Sequence, residues 1–266
     1  LTANTTGNRN VAVGDVALDA ATTASDNTAV GQASLGATTT GGANTAVGQS
    51  SLNANTTGSN NTALGYRAGV SITTGIRHTI LGDDAGNSLV GGNDCIAIGH
   101  DSSFSSTTAA SEIVLGNDVT CVGAGNFTFG SGTNDSNIAN GATTITAPSD
   151  IRLKEDIQDE QIGLNFINDL RPVTFRWKKA KDVPSEMKAH NPDSDERVMN
   201  GKYNHGFIAQ EVKEVIDRYD IKDGFDMWTE DEADGRQRIG ESSLMPLMVK
   251  AVQELSAKVE ALENKE

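Results

Sequence analysis

Between residues 1 and 125 the apolar positions recur at a fixed interval. Glycines stand at Gly14, Gly31, Gly48, Gly65, Gly82, Gly99 and Gly116, each 17 residues after the one before. The residue preceding each glycine is aliphatic (Val13, Val30, Val47, Leu64, Leu81, Ile98, Leu115), and the one before that is mostly small (Ala12, Ala29, Ala46, Ala63, Ile80, Ala97, Val114). Four positions before the glycines stand Asn10, Asn27, Asn44 and Asn61, then His78, Cys95 and Glu112. Alternation of large and small residues is strand-like, and 17 residues suit a short strand, a turn, a second short strand and a return loop. A unit so small cannot bury an apolar face alone, so successive units must stack and share one core. Stacking sets like above like, which predicts an aliphatic column and an asparagine column whose amides bond to one another. Glycine at the corner permits positive φ, and the polar return loops at residues 37–42 and 55–58 are turn-forming. The fold class predicted for residues 1–125 is a β-solenoid or β-roll shaft.

The period lapses after Gly116. Residues 126–148 read as an irregular β joint, with strand-like stretches at 127–130 and 138–145, and Pro148 forces an extended entry into the next segment. Residues 149–266 read as a small α+β domain. A helix near 160–170 carries Ile162, Phe166, Ile167 and Leu170 at helical spacing and stops at Pro172. Next come a strand over 173–178, a polar insertion loop over 179–204 and an amphipathic helix over 208–219. Residues 225–229 and 237–239 form a hairpin around Asp234-Gly235. The final helix, 241–264, carries two seven-residue series, Leu244/Ala251/Lys258 and Met248/Leu255/Leu262, flanked by Val252 and Val259. That is the pattern of a short parallel coiled coil, with Lys258 its weak point. The helix past Ser256 has nothing left in its own chain to pack on, which favours three copies.

Composition sharpens the division. Residues 1–148 contain no lysine, three arginines against ten acidic residues, and only Tyr66, Phe104, Phe127 and Phe129 as aromatics. The remainder holds eighteen basic and twenty-six acidic residues, so both halves contribute to the net charge of -15. Such a surface repels phosphate backbones and anionic lipid, so neither nucleic acid nor membrane is an expected partner. No apolar run approaches the roughly 20 residues of a membrane span, and no signal-peptide pattern is present. Cys95 and Cys121 read as two buried free thiols. His78 and Cys95 read as substitutions in the polar column rather than metal ligands, and the threonine-rich loops as spacers. No cofactor is expected.

The repeat Asn-Thr-Ala-Val-Gly-Gln-x-Ser-Leu resembles those of phage tail-fibre shafts and is similar to the β-roll heads of trimeric autotransporter adhesins. The resemblance covers about residues 1–120 and implies a homotrimer. Residues 1–7 match residues 52–58, the middle of a repeat, so the chain is expected to be the C-terminal part of a longer protein.

Ser149-Asp150-Ile151-Arg152-Leu153-Lys154-Glu155-Asp156-Ile157 resembles the opening signature of the endosialidase-type intramolecular chaperone, a self-cleaving module of phage tail spikes and fibres. Further blocks at 170–177, 206–212 and 244–255 fit the same family. The resemblance implies that residues 149–266 direct trimeric folding of the shaft. They would then cut the Pro148–Ser149 bond once, as a serine endopeptidase with Ser149 and Lys154 as a catalytic dyad. A serine hydroxyl needs a base to take its proton, and lysine serves only where desolvation or nearby cations disfavour its charge. Attack by Ser149 on the Pro148 carbonyl would be an N-to-O acyl shift, or a relay from a neighbouring chain. A five-residue separation does not pair Ser149 with Lys154 on a regular helix or strand, so a turn or a second protomer must bring them together. The expected protein is a virion tail fibre, made in the host cytoplasm and extracellular after assembly, whose shaft meets a host receptor or glycan. The alternative is a trimeric adhesin with an inert, uncleaved C-terminal cap. A fibre that hydrolyses host polysaccharide has no support, since no paired-carboxylate site stands out in the shaft.

Overall fold

The structure, a computed structural model, describes residues 1–142, 144–221, 225–231 and 235–265. The chain divides into two compact units, Leu1–Glu155 and Asp156–Glu266.

The first unit is a β-solenoid with one sheet. Its strands are β1 (Val11–Val13), β2 (Thr28–Val30), β3 (Thr45–Val47), β4 (Thr62–Leu64), β5 (Thr79–Leu81), β6 (Ile96–Ile98), β7 (Ile113–Asn117), β8 (Asn126–Ser131) and β9 (Asn134–Ala139), laid side by side in chain order. From β1 to β7 every pairing is parallel and offset by one period, so that Ala29 faces Ala46 and Ala46 faces Ala63. The small residue at the centre of each strand points inward, and Ala29, Ala46, Ala63, Ile80, Ala97 and Val114 are fully buried. The aliphatic column before the glycines therefore points outward: Val13 is 57% exposed and Leu64 47%. Beside it runs a second outward column, Val11, Thr28, Thr45, Thr62, Thr79, Ile96, Ile113 and Phe127, apolar at both ends and threonine in the middle.

The asparagine column is formed as expected. Oδ1 of Asn27 accepts from the Asn44 backbone N–H at 3.0 Å and from its side-chain amide at 3.1 Å. Oδ1 of Asn44 accepts from the Asn61 backbone at 3.0 Å. Each amide also donates across the coil, Asn44 to Gly58 O and Asn61 to Gly75 O, both at 2.9 Å. Buried amides are tolerable only when paired in this way.

The corner glycines are required twice over. Gly65 has φ +141, and a Cβ there would stand 2.2 Å from the carbonyl oxygen of Gly82 in the next rung. That conformation belongs almost solely to glycine.

The expected second strand of each turn is absent among the described residues. After the glycine the chain bends through paired left-handed residues, Ala33 and Leu35 in one rung and Ser50 and Leu52 in the next, with φ between 48 and 58°. Left-handed backbone costs an L-residue about 1–2 kcal/mol, and full burial of a leucine returns about 1.5–3 kcal/mol. Leu18, Leu35 and Leu52 are each fully buried. Where glycine replaces leucine at Gly69 and Gly86, Ile72 and Ile80 fill the space, with side-chain atoms 2.9 and 3.1 Å from where a Cβ would sit. The threonine loops stack too, with Thr22, Thr39, Thr56 and Thr73 hydroxyls donating to the carbonyl one rung on.

At the end of the shaft the offset shortens, since Gly116 pairs with Gly130. β9 then folds back antiparallel on β8, and Thr146 bridges Asn137. The expected irregular joint is thus a hairpin that closes the sheet.

The second unit contains α1 (Leu164–Asp169), β10 (Val173–Phe175), β11 (Asn204–Gly206), α2 (Ala209–Tyr219), β12 (Trp228–Glu230), β13 (Gln237–Ile239) and α3 (Met245–Glu263). Its core gathers Phe166, Val212, Val215, Ile216, Met227, Leu244 and Leu247, with Phe166 edge-on to Tyr219 and Phe225. Helix α1 starts later than its pattern predicts, because the Glu254 carboxylate of α3 caps it, accepting from Leu164 N at 3.0 Å. β10 stops at Phe175, where its partner β11 begins. The insertion over 179–204 is tied at its base by a Lys179–Arg197 bridge, and Lys179 and Lys181 both grip Asp195, holding its carboxyl down to about 2. β12 and β13 form the expected hairpin, and Asp234 of its turn lies outside the described residues. A 3-10 turn, Glu241–Leu244, leads into α3. Leu244, Leu247 and Ala251 are buried, whereas Met248, Val252, Leu255, Val259 and Leu262 form an open stripe.

Candidate functional site

Ser149 and Lys154 both lie in the first unit, immediately after the hairpin that closes the shaft. Asp150 has extended backbone and caps a single 3-10 turn, Ile151–Leu153, its Oδ1 accepting from Arg152 N at 2.9 Å. The turn closes through Leu153 N to Asp150 O at 3.0 Å and Lys154 N to Ile151 O at 3.2 Å. The Arg152 guanidinium grips the same carboxylate through Nε, 3.0 and 3.1 Å from the two oxygens, and a terminal nitrogen at 2.6 Å. That hydrogen-bonded guanidinium holds the Asp150 carboxyl below the usual carboxylate range. The turn delivers Lys154 Nζ to 2.7 Å from Ser149 Oγ. One chain alone therefore brings the Ser149 hydroxyl and the Lys154 amine into hydrogen-bond distance.

The pair is open to solvent. Pro148, Ser149 and Lys154 are exposed, as are the aliphatic side chains of Ile145, Ile151 and Leu153 in the same segment. Asp150 and Arg152 belong to the signature, but residue order alone does not reveal their mutual grip. An acid and a base two residues apart around a turn are the one sign of it.

His78 and Cys95 sit in the buried polar column. His78 Nδ1 accepts from Cys95 N at 3.3 Å, the place an asparagine oxygen takes in earlier rungs. Burial lowers the tendency of His78 to protonate and raises both thiols. Glu112 ends the column, accepting from the backbone and hydroxyl of Ser105. Among the described residues no three His, Cys, Asp or Glu side chains are grouped to hold a metal ion. The second unit has an open cleft of about 330 Å³ bounded by Thr174, His205, Phe207 and Glu241. Its hydroxyl and imidazole stand 3.5 Å apart, too far for an effective proton-transfer pair.

No curated protein and no solved structure matches the chain. Residues 149–221, opening on the serine that Lys154 contacts, match the family described as chaperone of endosialidase, peptidase S74.

Proposed function

We propose that this chain is a trimeric phage tail fibre whose C-terminal domain assembles three shafts in register and then cuts the Pro148–Ser149 bond once. The observation that carries the self-cleavage is the 2.7 Å contact between Lys154 Nζ and Ser149 Oγ. The neutral lysine takes the hydroxyl proton as Oγ bonds to the Pro148 carbonyl carbon. The C–N bond then breaks, and the proton passes to the departing nitrogen of Ser149. Water hydrolyses the resulting ester, leaving a carboxylate on Pro148 and a free amine on Ser149. No cofactor enters these steps.

An ammonium cannot accept that proton, and the dyad of a single chain is exposed to water. Packing of three copies over Ile145, Ile151 and Leu153 would expel water from the amine and favour its neutral form. Cleavage would then follow assembly. The outward aliphatic column of the shaft and the open stripe of α3 support three copies, since contiguous apolar faces of this kind mark interfaces. Register is the physical need: rungs of one period can pair out of step, and a globular trimer at one end would hold them in step. The shaft is the part that would meet a host receptor or glycan outside the cell.

Denaturing gels and intact-mass measurement of wild type, Ser149→Ala and Lys154→Ala test this reading. Wild type should yield a fragment with the mass of residues 149–266, and both variants should stay full length. A full-length band throughout would leave a trimeric fibre with an inert cap.

A further inference from the structure

We infer that Asp150 and Arg152 form a clamp that positions the dyad and in which each offsets the other's charge beside the lysine. This inference rests on the self-cleavage reading above. Extended chain would hold the Cα atoms of Ser149 and Lys154 roughly 17 Å apart, beyond the reach of the two side chains. The turn that closes this gap has no core of its own, because Ile151 is 73% and Leu153 69% exposed. It is held by two backbone hydrogen bonds and by the Asp150 carboxylate, which caps Arg152 N and grips the guanidinium at once. Cap and ion pair together fix residues 150–152, and so aim Lys154 at Ser149.

The pairing also has a charge consequence. The charged residues of this segment besides Lys154 are Asp150, Arg152, Glu155 and Asp156. A bare carboxylate at 150 would favour the lysine ammonium, which cannot act as a base, and a bare guanidinium at 152 would disfavour it. Locked together, the two cancel. Asp150 and Arg152 are positioning residues, since they act through Lys154.

The test measures the cleavage rate of the full chain against pH for wild type, Asp150→Asn, Asp150→Ala, Arg152→Ala and Arg152→Lys. Trimer content is checked first by light scattering, and Ser149→Ala serves as the uncut control. Asp150→Asn keeps an oxygen to cap Arg152 N but frees the guanidinium. Its rate should rise with pH about 0.5 unit earlier than wild type. Arg152→Ala frees the carboxylate, and its rise should come about 0.5 unit later. Asp150→Ala loses cap and pair and should be slowest, about tenfold below wild type. Arg152→Lys keeps the cation, so its rise should stay at the wild-type pH; a rise displaced to higher pH, as expected of Arg152→Ala, would overturn the inference even where Arg152→Ala fails to assemble.

Uniform slowing without opposite displacements would reduce the pair to a structural prop and overturn the inference. Wild-type rates in all variants, with Ser149→Ala uncut, would overturn the clamp and leave self-cleavage standing. An uncut wild type would overturn the self-cleavage reading and the clamp with it.

Discussion

His78 stands where Asn10, Asn27, Asn44 and Asn61 stand in the earlier rungs, and its imidazole is buried. An amide in this column accepts from the next rung and donates across the coil without titrating. An imidazole keeps the acceptor role only while neutral, because protonation at Nδ1 removes the acceptor that Cys95 N uses. Burial, the largest influence on it, lowers the folded-state pKa of His78 from 6.5. The unfolded chain therefore binds the proton more readily. Stability is complete above the unfolded value and falls as pH drops below 6.5. Each pH unit below that midpoint costs no more than about 1.4 kcal/mol, so the loss is bounded at about 2 kcal/mol by pH 5. His78→Asn restores the amide, whose nitrogen would face Gly92 O as Asn61 faces Gly75 O. Thermal melts of the two proteins at pH 7 and pH 5 check this: the variant should gain on wild type only at the lower pH. An equal difference at both values would mean that His78 does not titrate as the column requires.

At the scale of elements, a rung is a module defined by its columns. Deleting residues 32–48 joins Gly31 to Gln49 and keeps every column in phase. The shortened shaft should fold, melt cooperatively and still self-cleave, with a melting point within a few degrees of wild type. Deleting residues 32–39 instead sets Ala43 in the leucine column and Leu52 in the asparagine column at the junction, so residues 1–31 lose register with the rungs that follow, and circular dichroism should show a smaller, less cooperative melt. Much of this was legible in the sequence. The glycine period gave the strands and their register, and the asparagine spacing gave the internal ladder. What stayed hidden was the second half of each turn, because a leucine in left-handed backbone leaves no mark in a hydrophobic pattern. In place of the expected second strand the rung bends, with Leu35 as a buried pivot. The site divided the same way. Ser149 and Lys154 were visible as residue types within a family signature, whereas their contact depends on a turn whose determinant, the Asp150–Arg152 grip, is a local geometry that spacing does not display.

At the scale of the whole molecule, most of the large apolar side chains left exposed on the shaft's sheet lie in the two outward columns. Leu64 and Leu81 are near its middle, 47% and 39% exposed, and burying the remainder of each in an assembly would contribute about 0.6–1.4 kcal/mol per chain. Leu64→Lys/Leu81→Lys leaves the rung interior untouched, so the single-chain coil should persist while light scattering shows loss of the trimer and gels show loss of the fragment. A trimer of unchanged mass would place the interface elsewhere. The second outward column carries a further consequence. Its threonines at 28, 45, 62 and 79 are followed by Ile96, Ile113 and Phe127, with Val11 at the other end. Copies packed level with one another set hydroxyl beside hydroxyl and hydrocarbon beside hydrocarbon. A copy displaced by one period sets Thr79 against Ile96, and burying an unanswered hydroxyl costs about 1–3 kcal/mol at each such junction. In the proposed trimer the shaft would thus carry its own alignment mark, a change of outward residue along rungs of equal period from β1 to β7, beside the register that the terminal domain supplies.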